Sequence, residues 1–206
     1  MEEKFEKNSN VPEELTEEIE SVNFTKYERR KITLKSVLDF VVYILIVIVL
    51  CLLFLKFVAV RSVVDGSSMN PLLYNKDNLI VEKVSYYFRA PERFDVIVFE
   101  LADEKGVHYI KRIVGLPGET VQIQDGAVYI NGEKLENDVY GLETIENAYQ
   151  AGEPVTLADD EYFVLGDNRN NSRDSRLIGP VKRKQFLGRA FFRFYPFHKM
   201  MLIRHE

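Results

Sequence analysis

Two adjacent serines, Ser67 and Ser68, lie in the stretch "DGSSMNPLL", where glycine and proline favour a turn. A serine hydroxyl is a weak nucleophile at neutral pH and needs a positioned base to remove its proton. The 206-residue chain contains few histidines and cysteines: His108, His198, His205 and Cys51. This composition excludes a cysteine protease and a cysteine-based zinc site in the region after the serines, and it makes a histidine-rich metal site unexpected.

Two candidate bases lie on one predicted strand, "VHYIKRIV". Side chains alternate between the faces of a strand, so Lys111 shares its face with Tyr109 and Ile113. His108 shares the other face with Arg112, a combination typical of a solvated surface. Burial among apolar groups lowers the pKa of a lysine from about 10.4 by several units, which yields a neutral amine near working pH. The pattern favours Lys111, but an edge-strand lysine that discourages aggregation remains an open interpretation.

An apolar segment, "VLDFVVYILIVIVLCLLFLKFVAV", precedes the serines at residues 37–60 and is long enough to cross a bilayer as a helix. It lacks the small-residue exit of a cleaved signal peptide, which predicts an uncleaved anchor. Basic residues crowd its amino side, with fewer on the other side. By the positive-inside rule, residues 1–36, an acidic tail and a basic juxtamembrane segment, are expected in the cytoplasm and residues 61–206 outside it.

The part of the chain after the anchor has the pattern of short strands separated by turns. Segments such as "DVIVFEL" and "YFVLGD" are rich in β-branched and aromatic residues, and "QDGA" and "INGE" predict hairpins. Residues 136–160 are polar and aperiodic and are predicted as a surface loop or insertion. The sequence therefore predicts a mainly β domain, an antiparallel pair of sheets or distorted barrel, after one N-terminal transmembrane helix. The net charge of −5 gives no indication of nucleic acid as a partner.

Four stretches follow one another in the chain: "GSSMNPLL", "RFDVIVFE", "YIKRIVGLPGE" and "LGDNRNNSRDSRLIGPV". Together, downstream of a predicted anchor, they resemble the type I signal peptidases, membrane-bound Ser/Lys proteases that remove signal peptides from exported proteins. The resemblance extends from about residue 37 to the end of the chain. It implies a serine endopeptidase at the lipid bilayer that acts on signal-peptide-bearing preproteins and requires no metal or organic cofactor.

The resemblance also implies a role for individual residues. Ser68, which precedes the methionine, is implied as the nucleophile, whereas Ser67 is not, and Lys111 is implied as the general base. Ser172 is implied to form a hydrogen bond that orients the lysine. The other charged residues of the last stretch are implied as structural support: Asp167, Arg169, Asp174 and Arg176.

This chain departs from the family pattern at three positions near the expected chemistry. Gly66 lies where some members have a serine that assists the oxyanion hole, so the hole is expected to depend mainly on the Ser68 N–H and on a water. Because one lost donor can cost about 3 kcal/mol of barrier, some compensation is expected. Leu72 replaces a threonine and Asn170 an aspartate, which predicts variation in the supporting structure.

Several apolar residues near the anchor and the nucleophile could form a pocket for small substrate side chains, a surface that dips into lipid, or plain core: Leu72, Leu73, Tyr86, Tyr87 and Phe88. The substrate is expected to bind as an added extended strand. An alternative function is a non-catalytic, signal-peptidase-like chaperone for surface protein assembly, which should have lost the serine or the lysine. A self-cleaving repressor would need a DNA-binding helix pair, and a sortase-like enzyme would need a cysteine in the outer domain.

Overall fold

The computed structural model describes residues 34–141 and 143–203, apart from the side chains of residues 55–57. The predicted acidic tail, most of the basic juxtamembrane segment and His205 lie outside the described residues. The chain divides into two compact units, Met1–Val49 and Leu50–Glu206.

Helix α1 spans Leu34–Phe57. Its stretch Leu34–Phe54 is long and apolar enough to cross a membrane, and none of it is buried in the structure. A helix that is apolar on all sides suits a lipid environment, because every interior backbone group is bonded within the helix itself. The predicted end of the anchor at residue 60 is wrong for the helix, since Ala59 and Val60 already belong to the first strand.

The described residues contain twelve strands: β1 (Ala59–Val63), β2 (Asn78–Glu82), β3 (Val96–Glu100), β4 (His108–Gly115), β5 (Thr120–Gln124), β6 (Ala127–Ile130), β7 (Glu133–Lys134), β8 (Val155–Thr156), β9 (Glu161–Leu165), β10 (Val181–Lys182), β11 (Phe186–Tyr195) and β12 (Met201–Leu202). Two short helices accompany them, α2 (Ser85–Phe88) and α3 (Ser175–Ile178). The larger sheet has the order β1-β2-β11-β3-β4-β9-β10, with β12 beside β11, and the smaller has the order β7-β6-β5-β8. Every pairing in both sheets is antiparallel, which confirms the predicted fold class.

Two tight turns build the small sheet. Asp125 and Gly126 both have positive φ angles, of 48° and 74°, between β5 and β6. Asn131 and Gly132, with φ angles of 53° and 86°, join β6 to β7 in the same way. Two consecutive positive φ angles match the strand twist in a two-residue hairpin, and Asx-Gly pairs adopt them at low cost. Both predicted hairpins are confirmed.

Three residues of the predicted loop at 136–160 belong to the core beside the small sheet. Ile145, Ala151 and Leu157 are buried in one cluster with apolar side chains of β5, β6 and β9. The same segment supplies β8 and a 3₁₀ turn at Tyr149–Gly152. The prediction of a surface loop is therefore wrong for these three residues, because isolated apolar residues in a polar run show no period that would reveal their burial.

Strand β4 lies inside the larger sheet, between β3 and β9. Lys111 is paired in register with Ile97 of β3, and Arg112 with Leu165 of β9. Because β4 has a partner on each side, the interpretation of Lys111 as an edge-strand lysine is wrong. The pairing of β4 with both β3 and β9 instead fixes the direction of its side chains.

Candidate active site

The amine of Lys111 and the hydroxyl of Ser68 lie together in the larger sheet's cleft. Lys111 is only 3% exposed, and its Nζ is 2.7 Å from Oγ of Ser68. The same Nζ donates a hydrogen bond of 2.9 Å to the carbonyl oxygen of Ile110. Together, these contacts orient the amine toward the hydroxyl. A general base that removes the proton of a serine needs this arrangement.

Burial lowers the pKa of Lys111 from its usual 10.5 to about 8, although the carboxylates of Asp174 and Asp167 oppose this change. Each carboxylate has its own buried arginine. Arg176 donates from Nε to Asp174 over 2.8 Å, and Arg112 donates from Nη2 to Asp167 over 2.7 Å. The two guanidinium groups lie closer to these carboxylates than the amine of Lys111 does. They therefore weaken the attraction by which the carboxylates would keep the lysine protonated.

Arg112 lies on the opposite face of β4 from Lys111, as the alternation predicts. That face is not solvated, however, because Arg112 is only 1% exposed and holds both carboxylate oxygens of Asp167. A third hydrogen bond runs from its Nη1 to the carbonyl oxygen of Phe94. The expectation of a mixed surface holds only for His108, which is exposed at the start of the strand. An ion pair formed by residues 55 positions apart gives no signal in local sequence.

The turn at residues 66–73, named the nucleophile turn after the predicted role of Ser68, is held by the segment that follows β9. The backbone N–H of Asn168 donates to the carbonyl oxygen of Ser68 at 3.1 Å. The side-chain amide of Asn168 donates to the carbonyl oxygen of Ser67 at 3.2 Å. At the start of the turn, Gly66 has a φ of +97°, a conformation that favours glycine, and its N–H donates to Asn75.

Gly166 lies directly against the nucleophile turn. A methyl group at this position would overlap the carbonyl oxygen of Ser68 and the hydroxyl of Ser172. Its backbone N–H donates to the carboxylate of Asp174 at 3.1 Å. The absence of a side chain thus lets the segment after β9 approach the nucleophile closely enough to form the hydrogen bonds of Asn168.

Ser172 is close to the dyad but is not bonded to it in the structure. Its hydroxyl oxygen is buried and has no hydrogen-bond partner among the described residues. The implied hydrogen bond from Ser172 to Lys111 is therefore not formed here. Hydrogen bonds of catalytic groups are often completed only when substrate binds, and a free, buried hydroxyl beside Gly166 is available for such a change.

The remaining implied support residues form a network behind the turn. The carboxylate of Asp174 caps α3 by accepting from the backbone N–H of Arg176 at 3.3 Å. Arg176 also donates from Nη1 to the carbonyl oxygen of Asn147 at 3.1 Å. Arg169 binds both carboxylate oxygens of Asp138 at 2.6 Å. These contacts attach residues 138–147 to the segment that holds the serine.

Asn170 has a contact that explains its departure from the family's aspartate. Its Oδ1 accepts from the backbone N–H of Glu146 at 3.0 Å, and its Nδ2 donates to the carbonyl oxygen of Thr144 at 3.0 Å. Only an amide can accept and donate in this way, since an ionised carboxylate has no donor. The partnership was not predictable, because the sequence shows no pattern between residues 144–146 and Asn170.

Ser68 and Lys111 open into a cleft of about 380 Å³. Its walls combine the start of the nucleophile turn with β4 and the 171–173 region, and they include the apolar residues Val63, Val64, Met69, Val107 and Ile110. At the rim, Arg173 donates to the hydroxyl of Tyr109 at 2.5 Å and to Glu104 at 2.7 Å. Hydrogen bonds from Arg173 and Tyr109 lower the pKa of Glu104.

The five residues for which the sequence allows a pocket wall, a surface that dips into lipid or plain core do not line this cleft. Leu73 is fully buried core, and Leu72 lines a larger cavity of about 640 Å³ that contains neither Ser68 nor Lys111. Tyr86 lies in a separate hollow with Arg183 and Phe186. Tyr87 borders the same hollow, and because Tyr87 and Phe88 are 67% and 86% exposed, neither belongs to the core. The apolar cleft residues that replace them come from the end of β1 and the residue after it, from the nucleophile turn, and from β4 and the residue before it. The positions of these strands relative to Ser68 depend on the tertiary fold.

The described residues contain no cluster of side chains suited to a metal ion. No group of three or more His, Cys, Asp or Glu side chains in this part of the chain could hold a metal ion. The charged groups near the dyad are instead bonded to one another.

The model of a known family, described as "Signal peptidase, peptidase S26", matches residues 37–195. The chain belongs to this signal peptidase family. Its members are serine endopeptidases that remove signal peptides, and α1 fits the membrane anchor of the family. The match includes Ser68, Lys111 and the segment after β9.

Two individual relatives agree with this assignment. The chain is 46% identical over 152 residues to "Probable signal peptidase I-2" of Synechocystis, which covers 71% of this chain and 68% of the relative. It is 41% identical over 175 residues to "Signal peptidase I S" of Bacillus subtilis, covering 81% and 93%. A crystal structure of a signal peptidase I from Enterococcus faecalis is 37% identical, with a TM-score of 0.41, and covers 49% of this chain and 97% of that one.

Proposed function

We propose that this signal peptidase cleaves preproteins by a Ser68–Lys111 dyad through an acyl-enzyme. The observation that carries the proposal is the 2.7 Å distance between Nζ of Lys111 and Oγ of Ser68 in a buried setting. A buried amine with a pKa of about 8 is neutral in a useful fraction of molecules at neutral pH. Among the described residues, no other basic side chain forms a hydrogen bond with the Ser68 hydroxyl.

The chemistry follows from these contacts. Neutral Lys111 accepts the proton of Ser68 while its own N–H remains bonded to the Ile110 carbonyl, and the serine oxygen attacks the scissile carbonyl. The new lysine ammonium then protonates the leaving amine, and water hydrolyses the acyl-enzyme with the lysine again as base. The free hydroxyl of Ser172 orients the amine once substrate binding brings the two groups into hydrogen-bond contact. Asp167, Asp174 and Arg176 keep the supporting segment in place.

The substrate is a preprotein presented at the lipid bilayer. An extended signal-peptide end can bind as an added strand along the cleft, whose apolar walls accept small side chains. The excess of basic residues before α1 supports an orientation with the N-terminus in the cytoplasm and residues 61–206 outside it.

Incubation of the detergent-solubilised full-length protein with a preprotein, followed by N-terminal sequencing of the product, tests the proposal. We expect cleavage after the signal peptide, and we expect Ser68→Ala and Lys111→Ala each to lower kcat by at least a thousandfold with the fold intact. His108→Ala is the matched control, because His108 lies three residues from Lys111 on the same strand. Retained activity in Lys111→Ala with loss in His108→Ala would show that the base is wrongly assigned.

A further inference from the structure

Ser67, the residue before the nucleophile, is held at both its carbonyl and its hydroxyl. Its carbonyl oxygen accepts from the backbone N–H of Asn70 at 3.1 Å and from the side-chain amide of Asn168 at 3.2 Å. Its hydroxyl oxygen accepts from Nδ2 of Asn171 at 3.0 Å. Ser67 and Asn171 both line the cleft that contains Ser68 and Lys111. The hydroxyl of Ser67 is therefore positioned and lies within reach of substrate.

The oxyanion hole of this protein needs a donor besides the Ser68 N–H. Gly66 has no side chain to offer, and its backbone N–H already donates to Asn75 at 3.2 Å. The Ser68 N–H makes no hydrogen bond to another described residue, which leaves it free for a substrate oxygen. Removal of one donor from an oxyanion hole typically lowers kcat by 10² to 10³, so a hole with a single donor would be weak.

Covalent geometry places the Ser67 hydroxyl beside the Ser68 N–H. The oxygen of one serine and the backbone nitrogen of the next residue are separated by four bonds, which keeps them roughly 3–4 Å apart. One oxygen atom can then accept from both groups. The hydrogen bond from Asn171 occupies a lone pair of the Ser67 oxygen and leaves its proton free to donate. Accepting one hydrogen bond also strengthens the hydroxyl as a donor.

We infer that the hydroxyl of Ser67 is the second donor of the oxyanion hole, and that Asn171 positions it. The inference rests on the proposed Ser68–Lys111 function. When the Ser68 oxygen adds to the scissile carbonyl, the carbonyl electron pair moves to the substrate oxygen and the Ser68 proton moves to Lys111. Ser67 keeps its own proton throughout and donates a hydrogen bond to the negative oxygen. When the carbonyl re-forms, that hydrogen bond weakens and the leaving amine departs with the proton from Lys111.

Steady-state kinetics of full-length variants on a preprotein test this role. We expect Ser67→Ala to lower kcat by about 10²-fold while KM changes less than twofold, because the lost hydrogen bond forms only in the transition state. Ser67→Thr keeps a hydroxyl, and its kcat is expected to be at least tenfold higher than that of Ser67→Ala. Asn171→Ala, which removes only the positioning contact, is expected to lower kcat by roughly three- to tenfold. The melting temperature of each variant should stay within a few degrees of the parent.

Four outcomes would overturn the inference. One is a Ser67→Ala variant with kcat within threefold of the parent, and another is a rise in KM at constant kcat. A third is a lowered melting temperature that accounts for the lost activity and is not restored by threonine. The fourth is a loss in Ser67→Ala as complete as in Ser68→Ala, which would make Ser67 the nucleophile. The proposed function itself fails on a different result, full activity in Ser68→Ala or Lys111→Ala.

Discussion

Arg112 and Asp167 form a buried ion pair one residue beyond Lys111. Two nitrogens of the Arg112 guanidinium, Nε and Nη2, donate to the carboxylate of Asp167 at 2.8 Å and 2.7 Å. The side chains are 1% and 3% exposed. The carboxylate of Asp167 favours the charged form of Lys111, so the guanidinium beside it indirectly helps to keep the lysine neutral.

Replacement of Arg112 and replacement of Asp167 should therefore shift the pH–rate profile in opposite directions. Arg112→Gln leaves the Asp167 charge unopposed, which raises the pKa of Lys111 and moves the profile to higher pH. Asp167→Asn leaves the Arg112 charge unopposed, which lowers that pKa and moves the profile to lower pH. We expect shifts on the order of one pH unit, measured as kcat/KM against pH.

Both variants should also be less stable, by about 3–5 kcal/mol in urea unfolding, since each leaves one buried charge without its partner. Lys182→Gln is the control, because it breaks only the exposed pair with Glu161 and should cost about 1 kcal/mol or less. If both core variants moved the profile the same way, the electrostatic link to Lys111 would be wrong.

The unsubstituted protein should lose activity as the pH falls. The base must be neutral, and burial places the pKa of Lys111 at about 8. Below that pH, each unit removes about nine-tenths of the remaining neutral amine, so kcat/KM should fall roughly tenfold per unit. Preprotein cleavage measured between pH 5 and pH 10 checks this slope. A rate that stays constant down to pH 5 is incompatible with a lysine base.

Lys111→Met should be inactive but more stable than the parent at neutral pH. Lys111 has a pKa of about 8 in the folded protein, against its usual value of 10.5. Below pH 8 the charged, buried lysine therefore lowers the free energy of unfolding by about 3 kcal/mol. This penalty is complete below pH 8, shrinks as the pH rises from 8 to 10.5, and is absent above that range. Urea unfolding at pH 6 and pH 10.5 measures the difference. An equal gain at both values would mean that the effect arises from packing alone.

The sequence predicts the site better than it predicts its surroundings. Strand alternation identifies Lys111 as the buried base candidate because the relevant signal is local and has a period of two. Alternation cannot say that the opposite face is also buried, and for this reason Arg112 is misassigned to a solvated surface. Its partner Asp167 lies far away in the chain, and no local pattern connects the two residues.

The wall of the cleft shows the same limit. Tyr86, Tyr87 and Phe88 are apolar and follow the serine by about 20 residues, but a short helix leaves Tyr87 and Phe88 exposed and away from the cleft. The asparagines that hold the serine turn, Asn168 and Asn171, come from a segment about 100 residues later. Contacts of this kind depend on the order of strands in the larger sheet, which the sequence pattern does not reveal.

Gly166→Ala should impair catalysis through displacement of the nucleophile. An added methyl group would overlap the Ser68 carbonyl oxygen and the Ser172 hydroxyl, so either the turn or the segment after β9 must move. Because a shift of about 1 Å at a reacting group can cost a hundredfold in rate, we expect kcat to fall by at least that factor. Gly152→Ala is the matched control, since its added methyl group would meet only Ala148, at an ordinary contact distance of 3.7 Å. Preprotein cleavage by both variants, with circular dichroism to verify the fold, makes the comparison. Near-normal kcat in a folded Gly166→Ala variant would show that the close approach of this segment to Ser68 is not required for the reaction.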